Sequence, residues 1–134
     1  MKKIILVFCV LVMMCVLSLS SYGQKHSTHS YHGGQLRTTG GYQIEMVKSI
    51  DSLNFYLTVP QGKVMGTITA PAVEFVFTDK QNTNATLTKD KRDLNRYTVT
   101  LPKAGAVDHV IVSFVIDGKP VVGGFKFDES GRSK

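Results

Sequence analysis

From Gln35 onward, apolar side chains fall on alternate residues in short runs, and turn-forming residues break each run. Alternation of period two sends successive side chains to opposite faces of an extended chain, so each run predicts a half-buried strand. Tyr42, Ile44 and Met46 alternate with Gln43 and Glu45, and Leu53, Phe55, Leu57 and Val59 alternate with Asn54, Tyr56 and Thr58. Pro60-Gln61-Gly62-Lys63 then breaks the chain, and Val64 to Thr69 reads as a short strand ended by Ala70-Pro71. Val73, Phe75 and Phe77 make the next run, followed by a polar turn from Asp79 to Asn84. A brief strand from Ala85 to Lys89 precedes a charged turn from Asp90 to Arg96, and Tyr97, Val99 and Leu101 share one face. His109 to Ile116 is the most apolar run and predicts a central strand. Asp117-Gly118-Lys119-Pro120 reads as a hairpin turn, because Asp and Gly tolerate positive φ, and Val121 to Phe127 returns.

No window carries a helical period of useful length. The expectation is an all-β domain: an antiparallel, immunoglobulin-like β-sandwich of about 7–8 short strands. A small barrel would give a similar pattern. Neither an internal repeat nor a second domain is visible.

The first 23 residues have the parts of a secretory signal. Lys2 and Lys3 open it, Ile4 to Leu17 is an unbroken apolar run of 14 residues, and Ser18, Ser20, Ser21 and Gly23 follow. A membrane anchor needs about 20 apolar residues, so the run favours a cleaved signal helix and no span afterwards. Neither Cys9, after Phe8, nor Cys15, after Met14, has the small preceding residue of a lipoprotein site. Cleavage after Gly23 leaves Gln24 first, and cleavage after Ser20 competes with it. Either way both cysteines depart, so the mature chain of about 110 residues has no disulfide and no thiolate, and suits one domain. The expected divisions are a signal peptide over 1–23, a flexible His-rich leader over 24–34, the sandwich over 35–128 and a polar tail over 129–134. Losing Lys2 and Lys3 lowers the formal charge from +6 to +4. The basic residues are scattered, and Asp90 and Asp93 interrupt the group Lys89, Lys91 and Arg92, which argues against a nucleic-acid surface.

Three of the four histidines lie in the leader, as His26, His29 and His32, separated by small polar residues. Neutral imidazole is the commonest protein metal ligand. A spacing of three spreads these rings too widely on a helix and divides them between faces on a strand. A flexible segment folding round a cation is the remaining geometry, at an ordering cost. Imidazole donors suit copper, zinc and nickel. The competing reading is a solvated leader with incidental histidines. If Gln24 is first and uncyclised, Gln24-Lys25-His26 also supplies a four-nitrogen square-planar set that selects Cu(II) or Ni(II).

His109 reads as a strand-edge residue, and Met46 and Met65 as strand fillers rather than soft ligands. Gly33-Gly34 reads as a flexible joint. Asp108 and His109 are merely adjacent, which does not create a hydrogen-bonded pair, no Ser-His-Asp set can be assigned from spacing, and no phosphate-binding loop precedes a helix. The chain is not expected to be an enzyme. Asn84-Ala85-Thr86 matches a glycosylation acceptor by three residues only.

His32-Gly33-Gly34, then Gly41-Tyr42-Gln43-Ile44-Glu45-Met46-Val47, then Leu53-Asn54-Phe55-Tyr56-Leu57 follow a recurring order. It resembles small exported proteins, and domains of periplasmic adaptor subunits, of heavy-metal efflux systems of the resistance–nodulation–division type. Gly124-Phe125-Lys126-Phe127 is similar to the end of that domain. The resemblance implies an envelope β-sandwich associated with copper, silver, zinc, cobalt or cadmium export. It carries His32, Gly33, Gly34, Tyr42 and Glu45 across by position. In many members a second His or a Cys precedes the His-Gly-Gly, and here His29 holds the comparable place. Glu45 is either a ligand or, more simply, a solvent-facing carboxylate.

These readings lead to an exported periplasmic protein that captures or hands over copper or zinc near the adaptor of a metal efflux pump. His26, His29 and His32 are the expected ligands. The alternative is an immunoglobulin-like envelope interaction module with incidental histidines.

Overall fold

The computed structural model describes residues 30–59 and 65–127. The expected signal segment, His26, His29 and the tail over 129–134 lie outside the described residues, as does the start of the strand expected at Val64.

Nine strands are described: β1 (Gln35–Thr39), β2 (Tyr42–Lys48), β3 (Ser52–Thr58), β4 (Ile68–Phe77), β5 (Asn82–Thr86), β6 (Thr88–Lys89), β7 (Arg96–Thr100), β8 (Val107–Ile116) and β9 (Lys119–Lys126). They form two antiparallel sheets, ordered β1-β2-β3-β7-β6 and β5-β4-β8-β9. The sheets pack as a β-sandwich, as the alternation predicts. Ile44 and Met46, Leu53, Phe55 and Leu57, and Tyr97 and Val99 face inward from one sheet. Val73 and Phe75, Val110, Val112, Phe114 and Ile116, and Val121 and Phe125 face them from the other. β8 is an inner strand between β4 and β9, which accounts for its apolar run.

Four expected boundaries are corrected. Ala70-Pro71 does not end a strand. β4 runs through it, with a register shift between Thr69 and Ala72 against β8 and a φ of 48° at Ala70. The bulge absorbs a proline that could not donate to an unbroken ladder. The strand expected over Ala85 to Lys89 is two pieces: the chain leaves one sheet after Thr86 and joins the other at Thr88, with Leu87 buried between. β5 begins at Asn82, inside the expected turn, and Arg96 opens β7 rather than closing the charged turn.

Two hairpins are two-residue turns with both residues at positive φ. Gly40 (57°) and Gly41 (80°) join β1 to β2, and Asp117 (50°) and Gly118 (76°) join β8 to β9. Such turns match the right-handed twist of the strands they connect. β1 was absent from the expected strands because Gln35-Leu36-Arg37-Thr38-Thr39 has little apolar alternation. Its inward side chains instead tie the sheets together. Gln35 Nε2 donates to the Lys126 carbonyl at 2.9 Å, and Arg37 Nε donates to the Gly124 carbonyl at 3.1 Å.

Candidate functional site

Glu45 occupies an outward position on β2, between Ile44 and Met46, which point into the core. An outward carboxylate is expected in solvent, yet Glu45 is only 2% exposed. The reason is non-local: residues 31–34 lie over the outer face of the sheet and close on this carboxylate. Its Oε1 accepts from His32 N at 2.8 Å and Gly34 N at 2.9 Å. Its Oε2 accepts from Tyr31 N at 3.1 Å and lies 3.0 Å from His32 Nδ1. The solvent-facing reading of Glu45 is therefore overturned.

The glycines of His32-Gly33-Gly34 make this closure possible, and they are not a loose joint. Gly33 adopts φ 76°, where a side chain is strained. A Cβ at Gly34 would lie 2.2 Å from the Met46 carbonyl oxygen, so only glycine lets the two backbones approach this closely. Burial opposes charge on Glu45. Gly34 N–H, then the His32 side chain and N–H, outweigh that cost and hold the carboxyl below its ordinary pKa.

The pairing of strands sets the neighbours. Across the outer face, Leu36, Glu45 and Tyr56 are opposite one another on β1, β2 and β3, and Arg96 on β7 is opposite Tyr56. The His32 ring stacks on Tyr56, with centroids 3.6 Å apart and planes 10° from parallel. Arg96 pairs with Asp90 through its Nη2, and Asp90 also accepts from Arg92 N and Asp93 N. Hydrogen bonding to Asp90, then to Tyr56, raises the Arg96 pKa, while the same Arg96 bond leads in holding the Asp90 carboxyl far below its usual range. His32 is thus gripped on one edge by a carboxylate and on one face by an aromatic ring. Its side chain remains 43% exposed.

In comparisons with known proteins, no protein-family model, curated protein or solved structure matches this chain.

Of the expected ligands, His32 is placed at this cluster, whereas His26 and His29 lie outside the described residues. Among the described residues no group of three or more His, Cys, Asp or Glu side chains is arranged to hold a metal. Met46 is 4% exposed within the core, and Met65 packs against its margin. His109 lies on β8 away from this row. Its Nδ1 is 3.0 Å from Asp108 Oδ2, so these neighbours do form a hydrogen-bonded pair, contrary to expectation. That bond leads in lowering the Asp108 pKa. Sequence reasoning missed Tyr56 and Arg96 as site residues. The available signal was an aromatic at an outward position of an alternating strand.

Proposed function

We propose that the chain is an exported, non-enzymatic transition-metal binding protein. It takes copper or zinc through His32, with His29 and His26 completing the donor set. It would work in the periplasm, passing its ion to the adaptor of a heavy-metal efflux pump. The observation carrying this reading is the His32 ring, held by Glu45 at Nδ1 and by Tyr56 on its face, which leaves Nε2 as the nitrogen not engaged by Glu45. Metal-binding histidines commonly give their second ring nitrogen to a carboxylate. An extended chain spans at most about 3.5 Å per residue, so His29 is tethered within roughly 10 Å of His32 and His26 within roughly 20 Å. The leader can therefore wrap an ion seated on the anchored ring. Imidazole donors without sulfur favour copper and zinc. The signal-like segment at residues 1–23 and the His-Gly-Gly resemblance support export and an envelope location.

Calorimetric titration of the secreted protein with Zn(II) and Cu(II) tests this. Micromolar or tighter binding is expected, and it should vanish when His26, His29 and His32 are all changed to Ala. Equal heats from the two proteins would end the proposal.

A second reading rests on the saturation of Glu45 by residues 31–34, which fastens the leader without any ion. In it the domain is an immunoglobulin-like interaction module, and the connections that carry the chain from one sheet to the other suit that architecture. A partner retained by the triple-Ala variant in the presence of chelator would favour it.

A further inference from the structure

We propose that Glu45 is the positioning residue of the metal site: its carboxylate locks His32 in the Nδ1–H tautomer and biases Nε2 toward a divalent, borderline cation. This rests on the metal-binding reading above. Glu45 is a poor ligand itself, because its two oxygens already serve Tyr31 N, His32 N, Gly34 N and the His32 ring. It acts through His32. An anionic acceptor 3.0 Å from Nδ1 favours the tautomer protonated there, which frees the Nε2 lone pair. It also fixes the direction of the ring and places negative charge behind it.

That charge lies within a 2% exposed residue, where it is weakly screened, and it attracts a doubly charged ion more than a singly charged one. Tyr56, stacked at 3.6 Å, restrains the ring from rotating off this axis. No sulfur competes nearby. Residues 30–127 contain no Cys, and Met46 and Met65 belong to the core and its margin. The cluster therefore presents nitrogen with a fixed direction, suited to Zn(II) or Cu(II) rather than to a thiophilic monovalent ion.

The experiment compares the full secreted protein with its Glu45→Gln variant, using Zn(II) and Ag(I) as probes and nitrogen-15 spectra of the His32 ring as readout. In the unaltered protein the spectra should show hydrogen on Nδ1, with Zn(II) moving the Nε2 signal. The variant should lose about tenfold to a hundredfold in Zn(II) affinity, and less for Ag(I). Equal losses for the two ions would assign Glu45 a merely structural role and overturn the proposal. So would Zn(II) on Nδ1, or a His32 already protonated on Nε2 in the unaltered protein, a result that holds whether or not the variant folds. Binding at His32 that survives with its ion preference unchanged would sink the role of Glu45 and leave the metal reading intact. The absence of any ion at His32 would remove both.

Discussion

Glu45 binds together residues that the chain separates by more than ten positions, and its charge state decides whether they stay together. The carboxyl is held below its ordinary pKa in the folded protein, because the bonds from Gly34 and His32 outweigh the cost of burial. Protons therefore bind the unfolded chain more readily than the folded one near that range. The stabilisation from Glu45 is complete above the unfolded value of about 4.3 and is lost as pH falls through the lower, folded value. Denaturant titrations across pH 2–7 should show this loss. Glu45→Gln should flatten that part of the profile and cost about 1–3 kcal/mol at neutral pH, since it leaves strong donors poorly matched. An unchanged acid limb in the variant would show that another carboxylate governs it. Asp90, bonded to Arg96, and Asp108, bonded to His109, are the competing groups, and their depressed values act in the same direction.

At the scale of elements, alternation was a sufficient guide wherever one face of a strand meets the core. β2, β3, β7, β8 and β9 carry that pattern, and each forms close to where it predicts. Failures came where backbone geometry rather than burial makes the strand. β1 is tied by its hairpin and by Gln35 and Arg37, and β4 survives Pro71 through a bulge that no hydrophobic pattern encodes. The Asp117-Gly118 turn was legible because its chemistry is local. It also gives a paired test. Gly118 has φ 76° with open space around it, whereas Gly124 on β9 has open space and no positive φ. Gly118→Ala should cost about 1 kcal/mol through strain alone. Gly124→Ala should be close to neutral, and thermal melts of the two variants read the difference directly. Equal shifts would mean that space or sheet propensity, rather than φ, governs this hairpin.

Across the whole molecule, two kinds of interaction are layered, and they differ in how much depends on them. The sandwich core was readable because burial is a property of each strand. The Glu45 cluster was not, because it requires residues 31–34 to return over β2, and no local pattern shows which outward residue will be covered. His-Gly-Gly and Glu45 stood out only through the resemblance, without the contact that joins them. The two layers should separate experimentally. Phe55, 0% exposed on β3, meets Phe125 of the opposite sheet with ring centroids 6.0 Å apart. Phe55→Ala removes an aromatic that both sheets share, and filling the gap would require the sheets to move together. Truncations of this kind cost about 3–5 kcal/mol, against a total of roughly 5–15 kcal/mol for a domain. With no cysteine in residues 30–127, no disulfide within them offsets the loss. For a domain of this size, a melting temperature lower by at least roughly 10 °C is expected in scanning calorimetry. Glu45→Gln should instead leave the near-ultraviolet signal of the core tyrosine and phenylalanines in place, because it unfastens the leader without opening the space between the sheets. If Glu45→Gln collapses the core signal as Phe55→Ala does, the cluster is part of the folding unit rather than a fastening laid over it.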